Sequence, residues 1–133
     1  MTPLRILVLC TGNSARSQLA EAIFRAQGGE GVHVQSAWSV PKPSVNPLAV
    51  EVARDMLGLD LSGHRPKPVS QFVDQPFDVV ITVCDDAAES CPVFPGAPEH
   101  VHWSLPDPVD RQDFEDVTRE LGERIEEFLA ERA

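Results

Sequence analysis

From Cys10 to Ser17 the chain reads Cys-Thr-Gly-Asn-Ser-Ala-Arg-Ser. These residue types at this spacing can bind an oxyanion and attack it. Where such a stretch leads from a strand into a helix, the backbone N–H groups of Thr11, Gly12, Asn13, Ser14 and Ala15 form a concave anion cradle. The helix dipole adds partial positive charge. Gly12 permits the tight turn. Arg16 offers a planar fork for a tetrahedral anion. The same field favours a thiolate at Cys10, which is the nucleophilic form, and Ser17 is placed to donate a hydrogen bond to it. The stretch lacks the Gly-Lys-Ser/Thr ending of a nucleotide-binding loop. The plain alternative is a buried cysteine closing a strand, with Arg16 on a solvated helix face. A cysteine, five intervening residues and then Arg-Ser would arise in a chain of this composition by chance only about 1% of the time.

Two further cysteines, Cys84 and Cys91, stand seven residues apart. A zinc site usually shows tighter pairs, and no fourth ligand is evident, so no metal is expected. His33, His64, His100 and His102 are scattered and read as structural or surface residues. One reading of Cys84 and Cys91 is a pair of structural thiols. The other is a redox relay. Seven helical residues span about 10 Å, whereas a disulfide needs Cα atoms within about 7 Å. If 85–90 is helical in the reduced protein, a Cys84–Cys91 bridge requires that segment to unwind, which would carry the disulfide outward to a reductant.

The elements that must position these residues follow from hydrophobic period and punctuation. Arg5 to Cys10 is a short apolar run, read as a buried strand. A helical period starts at Ala15, with Leu19, Ala22, Ile23 and Ala26 inward, and Gly28-Gly29 stops it. Val32 to Ser39 alternates as a second strand. Asn46 and Pro47 are a good N-cap and first residue for a helix with Leu48, Ala49, Val52, Ala53 and Met56 inward, ended by Gly58. The stretch 59–77 reads as loop with one helical turn near 69–73. Phe77 to Cys84 is the third strand and Val101 to Ser104 a short fourth. Asp113 to Arg132 is the last helix, with Phe114, Val117, Leu121, Ile125 and Phe128 inward. Strands alternating with amphipathic helices predict a parallel sheet covered on both faces. Ligands on such sheets bind at the carboxyl ends of the strands, where Cys10 and Cys84 both fall.

The 133 residues suit one domain. The chain is 42% hydrophobic and 24% charged, a globular rather than a disordered composition. Eleven Lys and Arg stand against 21 Asp and Glu, a net charge of −10. A nucleic-acid partner needs a basic footprint, and an anionic membrane surface is disfavoured for the same reason. No apolar run approaches the roughly 20 residues of a membrane span, and the first residues lack the order of a signal peptide. A monomer in the cytoplasm is the expectation, with three thiols kept reduced.

The Cys-to-Arg-Ser loop with Gly-Asn inside it resembles the low-molecular-weight protein tyrosine phosphatase superfamily, which holds phosphatases and thioredoxin-coupled arsenate reductases. Cys10, Cys84 and Cys91, the Pro92 after the third, His102-Trp103, Asp107-Pro108, Ser36-Ala37 and Val45-Asn46-Pro47 resemble the arsenate reductases, over nearly the whole chain. Phosphatases of the superfamily carry tyrosines after their Asp-Pro to hold an aromatic substrate. This chain has no tyrosine, and Val109 stands there.

The resemblance implies an α/β three-layer sandwich with a four-stranded parallel sheet. It implies that arsenate sits in the loop of Thr11 to Arg16, that Cys10 attacks arsenic and that Asp107 acts as general acid. Without that likeness, Asp107 in Leu-Pro-Asp-Pro would read as a turn residue. It implies that Cys84 then attacks Cys10, that Cys91 attacks Cys84, and that thioredoxin reduces the resulting bridge, with no cofactor. Some members hold potassium through residues matching Asn13, Glu21 and Ser36 and an aspartate. Here Lys67 takes the aspartate's place, so no potassium site is expected. Two other readings stay open: a phosphomonoesterase using the same Cys10, Arg16 and Asp107, and a phosphocysteine carrier or anion-binding regulator without turnover.

Overall fold

The computed structural model describes residues 3–10, 15–38, 42–84 and 97–132. The elements run β1 (Leu4–Leu9), α1 (Arg16–Gly28), a 3-10 turn (Gly29–Gly31), β2 (Val32–Ala37), α2 (Pro47–Val52), a π turn (Ala53–Leu57), a 3-10 turn (Val69–Phe72), β3 (Val79–Thr82), β4 (Glu99–His102) and α3 (Arg111–Glu131). The four strands form one sheet in the order β2-β1-β3-β4, and all pairs are parallel. The expected four-stranded parallel α/β architecture is what the chain adopts.

Alternation along β1 explains why it is apolar from Ile6 to Leu9. Ile6 and Val8 enter the larger core with Val34, Val79, Ile81 and residues of α1, α2 and α3. Leu7 and Leu9 enter the smaller core on the opposite face with Ala37, Val80, Phe72 and Phe77. A central parallel strand buried on both faces has no polar position to spare. Among the described residues, the 3-10 turn at Val69–Phe72 and Phe77 cover that second face.

Two glycines shape the connections. A Cβ on Gly28 would meet Val32 at 2.6 Å, so the return from α1 into β2 demands glycine. Gly58 has φ of 66°, the left-handed conformation that ends the α2 and π turn. An aromatic cluster ties the far layer together. Phe24 of α1 meets Phe128 of α3 edge-on at 5.6 Å and stacks with Trp103 at 6.4 Å. Such pairs add about 0.5–1.5 kcal/mol beyond area burial. This cluster anchors the end of β4 on α1 and so sets the course of the following loop, 103–110.

Several boundaries and faces differ from the sequence reading. β3 spans only Val79–Thr82 of the expected 77–84, and β2 ends at Ala37. β4 starts at Glu99, two residues before the apolar Val101, because an edge strand pairs through its backbone and needs little hydrophobic content. The last helix starts at Arg111. Asp110 caps it, accepting from the Asp113 N–H at 2.8 Å, and the Asp113 carboxylate reciprocates. This capping box has Asp in place of the usual Glu or Gln. Ala26 is exposed, and the first half of α1, Arg16 to Phe24, is buried all round. Met56 is 37% exposed, because the π turn rotates it off the inner face.

Candidate active site

β1 and β3 are neighbours, and the chain leaves β1 toward β2 on one side and β3 toward β4 on the other. The carboxyl ends of β1 and β3 therefore flank the point where strand order reverses, the usual crevice of an open α/β sheet. Cys10 follows β1 directly. The ladder continues past β3, with the Val83 N–H donating to Leu9 O at 2.9 Å, and Cys84 is the next residue. Both cysteines are fully buried.

Cys10 Sγ lies 2.8 Å from Ser17 Oγ and 3.2 Å from the Ser17 N–H, which donates to it. α1 has no side-chain cap, since Ala15 precedes it, and no acidic residue in its first turn. The sulfur thus accepts one of the N–H groups that a helix start leaves without an intrahelical partner. The Ser17 N–H and the positive end of a 13-residue helix converge on it, and the Ser17 hydroxyl, which accepts from the thiol, can turn to donate once the sulfur is ionised. All three favour the thiolate.

Replacing Ser17 with alanine keeps the backbone donor and removes the hydroxyl. The pH profile of Cys10 alkylation by iodoacetamide is expected to move upward in that variant. An unchanged profile would remove the hydroxyl from the account.

Arg16 is 1% exposed, an unusual setting for a guanidinium. Its Nη1 donates to Leu105 O at 2.9 Å and its Nη2 lies 3.5 Å from Asp107 Oδ1. Asp107 itself is 64% exposed. The 103–110 loop therefore brings a carboxyl group to the guanidinium that begins α1, beside Cys10. The structure brings together Cys10, Arg16, Ser17 and Asp107 and sets Cys84 on the adjacent strand end. Thr11, Gly12, Asn13, Ser14 and Cys91 lie outside the described residues.

Behind the first turn of α1 stands a charged cluster in which Glu21, Ser36 and Lys67, which the family likeness places at one site, are joined by Arg25, His64 and Gln18. Glu21 is 2% exposed. Its Oε1 accepts from Ser36 Oγ at 3.1 Å and Lys67 Nζ at 3.4 Å; its Oε2 faces Arg25 Nη1 at 3.1 Å and His64 Nδ1 at 3.3 Å. Gln18 Oε1 also faces His64 Nδ1, at 3.1 Å, while Gln18 Nε2 donates to Arg65 O. Both neighbours of Nδ1 are acceptors, so Nδ1 carries a proton in the neutral ring. Burial lowers the His64 pKa below 6.5; Arg25 and Lys67 push the same way, against Glu21 and Asp60.

His64, read as structural or surface from sequence, is a member of this cluster. The polar residues Gln18, Glu21 and Arg25 at helical spacing were the available signal. Leu105, which contributes only a carbonyl, had none.

Lys67 is held in place by its own backbone: the Trp38 N–H donates to Lys67 O at 3.0 Å and the Val69 N–H to Trp38 O at 2.8 Å. Its ammonium bonds the carboxylate oxygen that Ser36 also bonds. Among the described residues no group of three His, Cys, Asp or Glu is arranged to hold a metal. Exchanging sodium for potassium is expected to leave Tm unchanged; a clear rise in potassium would show that a cation competes with Lys67.

Strand order, a cysteine at a helix N-terminus, a buried arginine and an aspartate on the facing loop define a class of cysteine enzymes acting on oxyanions. Residues 5–132 match the family described as low molecular weight phosphotyrosine protein phosphatase. Arsenate reductase 2 of Staphylococcus saprophyticus subsp. saprophyticus is 37% identical over 125 residues, 92% of this chain and 94% of that one. A solved arsenate reductase in the phosphate binding state superposes with a TM-score of 0.84 at 28% identity, covering 98% of this chain and 99% of that one. The thioredoxin-dependent arsenate reductase of Corynebacterium glutamicum gives 0.77 at 30% identity, covering 98% of this chain and 62% of that one. The chain belongs to the arsenate reductase branch of the low-molecular-weight phosphatase family.

Proposed function

We propose that this protein reduces arsenate to arsenite through Cys10 and returns to its starting state through Cys84, Cys91 and thioredoxin. The observation that carries the proposal is the Cys10 sulfur held by Ser17 at the start of α1, where the adjacent Arg16 faces Asp107, with Cys84 on the next strand end. The likeness to arsenate reductases supports the substrate, and the likeness to a thioredoxin-dependent one supports the reductant.

Arsenate occupies the loop of Thr11 to Arg16. The Cys10 thiolate forms a bond to arsenic, and Asp107 gives its proton to the oxygen that departs as water. The Cys84 thiolate then attacks Cys10 Sγ. The sulfur–arsenic bond breaks and its electron pair stays on arsenic, which leaves as arsenite. The two thiols are oxidised to a Cys10–Cys84 disulfide. Cys91 attacks Cys84 and frees Cys10, leaving Cys84–Cys91. A dithiol protein, thioredoxin, reduces that bridge by two exchanges. In this reading the protein works as a monomer in the cytoplasm, where thioredoxin is available.

The test is NADPH oxidation in the presence of thioredoxin reductase and thioredoxin, started by adding arsenate. Arsenate-dependent consumption that disappears without thioredoxin is expected. No consumption, with p-nitrophenyl phosphate still hydrolysed, would leave a phosphomonoesterase built on the same Cys10. A stable phosphocysteine without turnover would leave a carrier or regulator. Cys91→Ser is expected to release a single arsenite per protein molecule and then stop as a Cys10–Cys84 disulfide. Sustained thioredoxin-dependent cycling of that variant would refute the relay.

A further inference from the structure

One helical turn beyond Ser17, α1 forms a wall of an open cleft of about 480 Å³ whose other wall is the segment 63–71. Its charge is opposite to that of the molecule, which carries a net −10. Arg25, His64, Arg65 and Lys67 line it, and Glu21 is the one carboxylate among the lining residues. That carboxylate is buried and already shared by Arg25, His64 and Lys67. Among the described lining residues, three permanent cations therefore face one carboxylate. Arg65 is exposed and makes no ion pair with a described carboxylate, and Arg25 keeps about half of its side chain exposed, at 48%. Their guanidinium groups have N–H groups to spare.

We propose that this cleft is a binding site for a small, multiply charged oxyanion of the sulfate or phosphate class, held by Arg65 and Arg25 with Lys67 behind them, apart from the Cys10 loop. A guanidinium fork matches two oxygens of such an anion. The anion supplies the negative charge that the Glu21 cluster lacks. It also ties the 63–68 segment to α1, the helix whose first turn holds Cys10. The cleft volume falls at the low end for small-molecule sites and leaves room for a substituent on the anion.

The inference stands independently of the arsenate reaction, and its test needs no turnover. Backbone amide shifts of the full chain are followed by NMR during titration with sodium sulfate, with sodium chloride at matched ionic strength as control. A parallel titration with glycerol 3-phosphate distinguishes a phosphorylated metabolite, which would bind tighter, from a free inorganic ion. Saturable shifts of the Gly63, Arg65 and Lys67 amides are expected with sulfate and not with chloride. Arg65→Gln should weaken that saturation about tenfold while leaving the sulfate response of the Ser17 amide unchanged. No response at 63–67, an equal response to chloride, or a response that survives Arg65→Gln and tracks Ser17 would overturn the proposal. The last would place the only anion in the Cys10 loop. Binding of a polyglutamate peptide without binding of sulfate would also overturn it, in favour of an acidic protein partner.

Discussion

Cys10→Ser should lower arsenate-dependent turnover by about 10⁴-fold or more, and any hydrolysis of p-nitrophenyl phosphate with it. The substitution is nearly isosteric. A serine hydroxyl can still meet Ser17 Oγ and the Ser17 N–H, which contact the sulfur at 2.8 and 3.2 Å. The fold should therefore persist, and circular dichroism and Tm serve as the control. What is lost is the nucleophile. The donors and helix dipole around position 10 can favour an anion whose parent acid is a thiol. They cannot bring a hydroxyl, which is far less acidic, into its ionised form near neutral pH. Oxyanion binding, measured by calorimetry with phosphate, should survive because Arg16 and the loop N–H groups remain. Loss of turnover with retained binding separates chemistry from recognition. Retained turnover would move the nucleophile to another thiol and overturn the site.

Asp107→Asn carries the second largest expected effect, and its two parts have opposite sign. Turnover should fall about 10²- to 10⁴-fold, the usual worth of a positioned general acid. Affinity for phosphate should rise roughly 1.5- to 5-fold, the range of a partly exposed ion pair. The second part follows from the geometry of the pair. Asp107 Oδ1 sits 3.5 Å from Arg16 Nη2, so the carboxylate competes with an incoming anion for the same guanidinium. Asparagine fills the same volume without the competing charge. Rapid quench for the first arsenite and calorimetry for phosphate measure the two parts. Weaker binding alongside slower turnover would mean that Asp107 positions Arg16 rather than competing for it.

The candidate Cys10 site could be proposed from sequence because its residues are local. A nucleophile, a run of N–H groups and an arginine all belong to eight consecutive residues, and the strand-to-helix change around them is marked by hydrophobic period. The element order was legible for the same reason: β1 is apolar through Leu9, α3 repeats its inward residues, and Pro47 and Gly58 punctuate α2. Boundaries were less legible where backbone pairing or an uncommon cap sets them. β4 begins at Glu99 because Glu99 pairs with Val79, and α3 begins at Arg111 because Asp113 completes a box with Asp110.

By itself, then, the sequence determined the sheet class, the candidate nucleophile and arginine, the three-cysteine spacing and a net charge of −10 that disfavours nucleic acid. Composition, period and spacing did not say which distant groups meet; the tertiary structure shows how they do. Asp107 reaches Arg16 across 91 positions because the Phe24–Trp103–Phe128 cluster fixes the loop after β4 against α1. Lys67 and His64 reach Glu21 because 64–68 runs beside β2, bridged at Trp38 and Pro68. Their meeting depends on packing between segments far apart in the chain. Residue type and spacing carry no record of that; the arrangement of the folded layers does.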